Sequence, residues 1–385
     1  TFGIMVYQED VIKICCHYAG LDLADADILR RGMSGKYRTK DTEFEKLSKR
    51  FFTTAKALGR DEEITKEVWR QVSSFAGFSF SKAHSASFAV ESYQSLYLKT
   101  YYPMEFMVAV LNNYGGFYQR WVYVHALQQT GAKVNLPCVN NSDSVVNING
   151  EVVYLGFVGI QGLENRLMEI IPQERKENGN YTDLEDLIKR TRLTLEQTII
   201  LIRIGALRFT GKSKKELLWE VHNYLGSKTK IVADRELFHI PSKEYVLPSL
   251  ANHAIEDAYQ ELELLGFPLC NPFDLIEDTN PLNDTILARQ MVSFKNKPIR
   301  MAGYFVCSKS LTTIKKERMA FGTWIDQEGN YFDTTHFPEQ LLRYPFRGKG
   351  VYMIEGKSTE EFGFFSLEVS KMNRLAFLAD ERFAD

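Results

Sequence analysis

Gly159-Ile160-Gln161-Gly162-Leu163 and Ile204-Gly205-Ala206-Leu207 are two short glycine-bearing stretches, each followed by a helical pattern. The first leads into an expected helix over 164–171. The second lies between expected helices at 195–203 and 214–224. Helix, tight glycine turn, helix is the form of a helix-hairpin-helix unit. The turn offers backbone N–H groups at a helix N-terminus to a phosphate, without reading bases. A plain αα-hairpin produces one such pattern readily, so it is the tandem occurrence that carries weight. Gly159, Gly162 and Gly205 are the candidate turn residues. Arg208, Lys212, Lys214 and Lys215 are the cations that would attract a phosphate backbone.

Upstream, residues 140–150 are rich in turn formers. Asn149-Gly150 sits between Val145-Val146 and Val152-Val153-Tyr154-Leu155, a β-hairpin signal that marks a first boundary. Residues 1 to about 135 read as almost wholly helical. Val6, Val11, Ile14, Cys15 and Tyr18 share one face, stopped by Gly20. Asp22 caps a second helix with Leu23, Ala26, Leu29 and Met33 on its apolar side. A third carries Ile64, Val68, Val72 and Phe75 and ends at Gly77. Another spans 83–101. Pro103 opens the next at its first turn, where a missing N–H is harmless, and Gly115-Gly116 closes it.

Downstream, residues 226–250 read as a linker with Pro241 and Pro248, followed by a helix around 252–265 and Gly266-Phe267-Pro268-Leu269. From Lys297 the period changes to two. Ile299, Met301, Gly303 and Phe305 alternate, and further strands run through Met319–Trp324, Gly350–Glu355 and Phe364–Val369. Four or five short strands in about 75 residues suggest a small barrel, with the OB-fold favoured. Such barrels often hold single-stranded nucleic acid by aromatic stacking. Trp324, Tyr331 and Phe332 are the candidate stacking groups, although about half of such aromatics must line the interior.

The whole is therefore expected to be multidomain, since 385 residues exceed one ordinary core. No apolar run reaches the roughly 18 residues needed to span a bilayer, so no membrane partner is expected. Thr1-Phe2-Gly3-Ile4 has neither the basic start nor the cleavage site of a signal peptide. The first residue is not Met, and the chain reads as part of something longer. Five cysteines (Cys15, Cys16, Cys138, Cys270, Cys307) without CxxC spacing suit reduced thiols in a cytoplasm, and no zinc is expected. A net charge of −2 does not advertise nucleic-acid binding. The basic clusters at 36–40, 208–215 and 315–318 would, taken alone, be solvated faces.

Several segments together carry a resemblance. They are Gly3-Ile4-Met5-Val6-Tyr7-Gln8-Glu9-Asp10, Ala26-Asp27-Ile28-Leu29-Arg30-Arg31-Gly32-Met33, and Phe75 to Ala89 with Ser81-Lys82-Ala83-His84-Ser85-Ala86 at its centre. Tyr102-Pro103-Met104-Glu105-Phe106-Met107, Leu264-Leu265-Gly266-Phe267-Pro268-Leu269, and Arg318-Met319-Ala320-Phe321 with Asp326 and Gly329 complete the set. In this collinear order they are similar to the bacterial DNA polymerase III alpha subunit, a replicative DNA-directed DNA polymerase. The resemblance implies all-α fingers over 1–138, a tandem helix-hairpin-helix duplex-DNA and clamp-binding module over 139–228, a linker over 229–296, and an all-β OB barrel over 297–385.

The resemblance further implies that Arg30, Arg31, Lys82 and His84 contact the incoming dNTP. An adjacent arginine pair stands about one hundred degrees apart on a helix, so both forked guanidinium groups can grip one triphosphate. It also implies that Asp234-Arg235-Glu236-Leu237-Phe238 binds the sliding clamp, and that other replisome subunits are partners. Magnesium would serve the full-length enzyme. The family's metal-binding aspartates are expected before residue 1, which leaves no catalytic residue here. Ser81 stands where the family has Asn, Gly35-Lys36-Tyr37 where it has Gly-Lys-Lys, and Asp234 where the clamp peptide usually has Gln. An error-prone paralogue, or a non-catalytic scaffold sharing helix-hairpin-helix and OB modules, are the alternatives. The arginine pair argues against a scaffold.

Overall fold

A computed structural model describes residues 4–33, 42–75, 81–113, 116–226, 254–380 and 382. Contacts divide the chain into two units, Thr1–Tyr101 and Tyr102–Asp385.

In the first unit, α1 (Gln8–Lys13) continues into a π-helical turn, Ile14–Tyr18. Val11 and Cys15 are buried, and the helix stops at Gly20, which takes φ +72°. There the N–H groups of Gly20 and Leu21 return to the carbonyls of Cys16 and Cys15. Asp22 does cap α2 (Leu23–Met33): its Oδ1 accepts from the Asp25 N–H at 2.8 Å. Ala26 and Leu29 are buried as expected, but Leu23, in the first turn, is 72% exposed. The sequence pattern did not single out α3 (Thr42–Ala57), which buries Leu47, Phe51 and Ala55 at four-residue steps.

On α4 (Glu62–Phe75) the inward face is turned by one residue from the expected one. Thr65 and Val72 are buried, Val68 and Trp69 half-buried, and Ile64 is 58% exposed. Two contacts fix this rotation. The Thr65 hydroxyl donates to the Asp61 carbonyl and meets the Tyr18 hydroxyl at 3.0 Å. Trp69 also packs against Phe51 and Phe52, with ring centroids 5.0 and 5.6 Å apart. α5 (Lys82–Tyr101) follows and buries none of its residues. Gly77, Gly115 and the side chains of Met33 and Phe75 lie outside the described residues.

The second unit begins with α6 (Pro103–Asn113) and α7 (Arg120–Gln129). Their buried Met107, Leu111, Val124 and Leu127 share a core with the residues that follow. β1 (Lys133–Asn135), β2 (Asn147–Asn149) and β3 (Val152–Tyr154) form a small sheet in the order β1-β3-β2. Asn149 pairs with Val152, so the two-residue loop is Gly150-Glu151, one residue past the expected Asn149-Gly150, with Gly150 at φ +64°. The pairing strand starts at Asn147; Val146 instead points into the core.

Four helices come next: α8 (Asn165–Asn178), α9 (Leu184–Thr191), α10 (Leu195–Arg203) and α11 (Lys214–Gly226). The turn at Ile204–Leu207 does join two helices. The turn at Gly159–Leu163 does not: it is preceded by a single 3-10 turn, Phe157–Gly159, because the chain arrives from β3 with Phe157 already buried. α12 (Ala254–Leu265) then packs on α10 and is tied to the start of α11 by ion pairs to Lys214 and Lys215.

The C-terminal part is a closed five-stranded barrel of β4 (Pro298–Thr312), β5 (Arg318–Ile325), β6 (Tyr331–His336), β7 (Val351–Glu361) and β8 (Phe364–Arg374). The order is β4-β5-β6-β8-β7, with β7 returning to β4. Every neighbouring pair is antiparallel except β6 with β8, and α13 (Pro338–Arg343) links β6 to β7. The OB-like barrel expected from the alternating pattern is therefore present. Between Met301 and Val306, β4 is covered on both faces. Met301 and Phe305 point into the barrel, while Ala302, Tyr304 and Val306 pack on the helical module, where the Tyr304 ring lies 4.9 Å from that of Trp121.

Candidate nucleotide and DNA interface

In the first unit the segment Tyr7-Gln8-Glu9-Asp10 contacts two of the four sequence-marked residues, Arg30 and Lys82. Arg30 donates from Nε and Nη2 to Asp27 Oδ1 at 2.9 and 2.8 Å, and from Nη1 to Gln8 Oε1 at 2.8 Å. Arg31 donates from Nε to Asp27 Oδ2 at 2.7 Å, with Nη2 on the same oxygen. Asp27 is thus held by both guanidinium groups, Arg31 first and then Arg30, and its carboxyl titrates below the usual range. Arg30 keeps 23% of its side chain exposed and Arg31 66%.

The same segment reaches α5. Glu9 accepts the Lys82 N–H on both carboxylate oxygens, at 2.9 and 3.0 Å, and the Ser81 hydroxyl at 3.2 Å. The Lys82 N–H holds the Glu9 carboxyl below its ordinary value. Lys82 Nζ stands 6.0 Å from the centroid of the Tyr7 ring. His84 stands two residues further along α5, with its ring T-shaped against Phe88 and the centroids 4.4 Å apart. Sequence reasoning missed Asp27 and Glu9 as organisers. The signal for Asp27 was its position three and four residues before Arg30 and Arg31.

In the second unit Gly205, Arg208, Lys212, Lys214 and Lys215 do form one patch around the α10–α11 turn. Gly205 takes φ +75°, which lets the turn close. Arg208 is engaged as a staple: its guanidinium donates to the carbonyls of Leu136 and Pro137, both at 2.8 Å, and of Gly205 at 3.1 Å. Each lysine meets a carboxylate: Lys212 with Glu220 at 2.7 Å, Lys214 with Asp257 at 2.6 Å, Lys215 with Glu256 at 3.3 Å. The other turn is tied inward. The Gly162 carbonyl accepts from Gln197 Nε2 at 3.1 Å, and Gln197 Oε1 accepts from the Glu164 N–H at 2.8 Å. Gln197 was not foreseen; it joins the first turn to α10. At Gly159 a Cβ would stand 2.0 Å from the Arg120 guanidinium.

The barrel overturns two expected stacking groups. Trp324 and Phe332 are register partners on the inner face, fully buried and nearly so. The Trp324 indole N–H donates to Thr334 Oγ1 at 2.8 Å. An alternating strand pattern gives two faces without saying which is interior, and here the larger rings fill the closed barrel. Tyr331 is the exception: it is 47% exposed, edge-on to His125 at 5.9 Å, and burial of the remainder pushes its hydroxyl up. Phe321, Phe362 and Phe364 are exposed aromatics that the sequence reading did not select. Asp234, Arg235, Glu236, Leu237 and Phe238 lie outside the described residues. Among the described residues no three His, Cys, Asp or Glu side chains are grouped so as to hold a metal ion.

A family model for the "Bacterial DNA polymerase III alpha subunit finger domain" matches residues 1–59, and one for the "Helix-hairpin-helix motif" matches residues 131–217. The DNA polymerase III subunit alpha of Staphylococcus aureus (strain MSSA476) is 27% identical over 402 residues, covering 100% of this chain and 36% of the relative. That of Borreliella burgdorferi is 27% identical over 410 residues, covering 99% and 35%. Over its whole length the chain is similar to bacterial DNA polymerase III alpha subunits. It spans about a third of the length of these relatives. The finger-domain match encloses the Tyr7–Asp10 strap, Asp27, Arg30 and Arg31. The helix-hairpin-helix match encloses both glycine turns and the lysine patch, and it begins at the small sheet rather than at α8. Among the described residues no helix is long and apolar enough to cross a membrane.

Proposed function

We propose that the chain is the nucleotide- and DNA-handling part of a cytoplasmic, replicative DNA-directed DNA polymerase that uses magnesium in its longer form. The observation that carries this is the pairing of a whole-chain, collinear similarity to polymerase subunits with one strap serving both fingers motifs. Gln8 meets Arg30, and Glu9 holds the start of α5 at Lys82. Arg30 and Arg31 would exchange Asp27 for the triphosphate, whose oxygens offer the same forked geometry with more charge. Lys82 and His84 would face the same nucleotide or the primer-template.

The helix-hairpin-helix module would hold product duplex through its turns and lysines. The barrel would hold single-stranded template on the face bearing Tyr331, with the exposed Phe321 and Phe364 replacing Trp324 and Phe332 as stacking groups. Leu237-Phe238 would plug a pocket on the sliding clamp, weakly for the isolated peptide, in the micromolar range or above. Primer extension tests the whole. A polypeptide of the relatives' length containing this chain should extend a primed template with dNTPs, and the 385-residue chain alone should not. Failure of the first overturns the proposal, and incorporation by the second overturns the division of labour.

A further inference from the structure

We infer that the first turn of α12 is an internal stand-in for the phosphates of duplex DNA, and that duplex displaces its two carboxylates to reach the second hairpin. This rests on the duplex reading of the helix-hairpin-helix module above. At that hairpin the turn itself has few donors left for a phosphate. The Gly205 N–H is given to the Ile202 carbonyl and the Ala206 N–H to the Leu201 carbonyl, both at 2.9 Å. Attraction for an anion therefore falls to the cations that flank the turn. They are Arg203 at the end of α10, and Lys214 and Lys215 at the start of α11.

All three meet α12. Lys214 Nζ stands 2.6 Å from Asp257 Oδ1 and donates to Gln260 Oε1 at 2.9 Å. Its stem crosses the turn, with Cε 3.7 Å from where a Cβ on Gly205 would stand. Lys215 Nζ stands 3.3 Å from Glu256 Oε1, and Arg203 pairs with Glu263. Glu256 and Asp257 thus lie at the N-terminus of α11, the positive end of a helix, where an anion is stabilised. Two negative groups against a lysine pair at a helix start is what a hairpin offers a sugar-phosphate backbone. Here the place is filled from within the chain.

The other end of α12 is anchored. Leu264 and Leu265 are buried in the module core, the Leu264 carbonyl accepts the Gln161 N–H of the first hairpin turn at 2.8 Å, and Glu261 accepts the Leu269 N–H at 2.7 Å. The described contacts of residues 254–257 with α11 are ion pairs. Phosphate oxygens can replace carboxylates in such pairs, with more charge. The acids therefore act as a brake on duplex affinity. Linkage is reciprocal, so bound duplex loosens the first turn of α12 by the factor that this turn weakens duplex.

Duplex titrations of four forms of the 385-residue chain test this: wild type, Glu256→Gln/Asp257→Asn, Lys214→Gln/Lys215→Gln, and both pairs combined. Exchange of the acids should tighten duplex binding about fivefold in the wild-type background. It should change binding less than about twofold where both lysines are already exchanged. An equal gain in both backgrounds reflects only the loss of bulk negative charge and would overturn the contact, as would no gain in either. The amides of residues 258–260 bond to carbonyls of the first turn, so their hydrogen exchange should quicken when duplex is added to wild type. Unchanged or slower exchange there with duplex bound would overturn the displacement. Duplex binding indifferent to all four substitutions removes the inference and leaves the duplex reading of the module standing. No binding by any of the four forms removes that reading.

Discussion

The backbone N–H of Lys82 is shared between both carboxylate oxygens of Glu9, 73 residues away, at 2.9 and 3.0 Å. A carboxylate at the first turn of a helix meets unsatisfied N–H groups and the positive end of the helix dipole, so the contact both caps and positions α5. Its neighbours Tyr7 and Gln8 touch Lys82 and Arg30, so the strap sets the spacing between the two fingers motifs.

Glu9→Ala should loosen the start of α5 by about 1 kcal/mol, read as faster amide exchange at Lys82–Ser85. The pH dependence follows from the lowered carboxyl. Its stabilisation is complete above the unfolded-state value and is lost as pH falls through the lower folded value. Exchange at these amides that is unchanged in Glu9→Ala would remove Glu9 from the capping role.

In the longer polymerase, Arg30→Ala and Arg31→Ala should each raise the KM for dNTP and slow incorporation. A charged hydrogen bond to phosphate contributes about 1.5–3 kcal/mol, or roughly tenfold to a hundredfold. Arg30→Lys should not restore the wild-type value, because an ammonium cannot span Asp27 and Gln8 at once. Wild-type kinetics in both alanine variants would take the pair out of the site.

The lysine patch gives a prediction of opposite signs. Charge reversal at Lys212, Lys214 or Lys215 should weaken duplex binding alike for all sequences. Asp257→Asn and Glu256→Gln should strengthen it, since each removes a negative charge that now stands against a lysine of the patch. Affinity should fall steeply with salt. A flat salt dependence in a filter-binding or anisotropy titration would make the patch purely structural.

For the barrel, Trp324→Ala should lower stability by about 3–5 kcal/mol, the usual loss for a buried ring. Thr334→Val should lower it by about 1–3 kcal/mol by leaving the indole N–H unpaired. Tyr331→Ala and Phe364→Ala should barely change the melting temperature but reduce single-strand affinity by about 1–3 kcal/mol for each base unstacked. The reverse pattern would put the stacking groups back inside.

His336 makes the barrel sensitive to acid. Its ring is fully buried, with Nε2 2.8 Å from Thr334 Oγ1 and Nδ1 without a partner, and burial lowers its pKa to about 4. The folded state therefore resists a proton that the unfolded chain accepts near 6.5. Stability should be full above that value, decline as pH falls toward 4, and level off below it. Denaturant melts of wild type and His336→Gln across this range check the effect, and identical pH profiles would exclude it.

The local pattern of the chain determined much of this. Asp22, Pro103 and Gly150 act where they stand because capping, helix starts and tight turns depend on a few neighbouring residues. The alternation after Lys297 was enough for a barrel. Other features required tertiary structure. The pattern gave β4 and β5 two faces but could not show that the first half of β4 is covered on both, or that Trp324 fills the interior while Tyr331 stays outside. It marked Lys214 and Lys215 as cations but could not place Asp257 and Glu256 of α12 against them. Periodicity states which side chains share a surface; what that surface meets is set by residues far away in sequence.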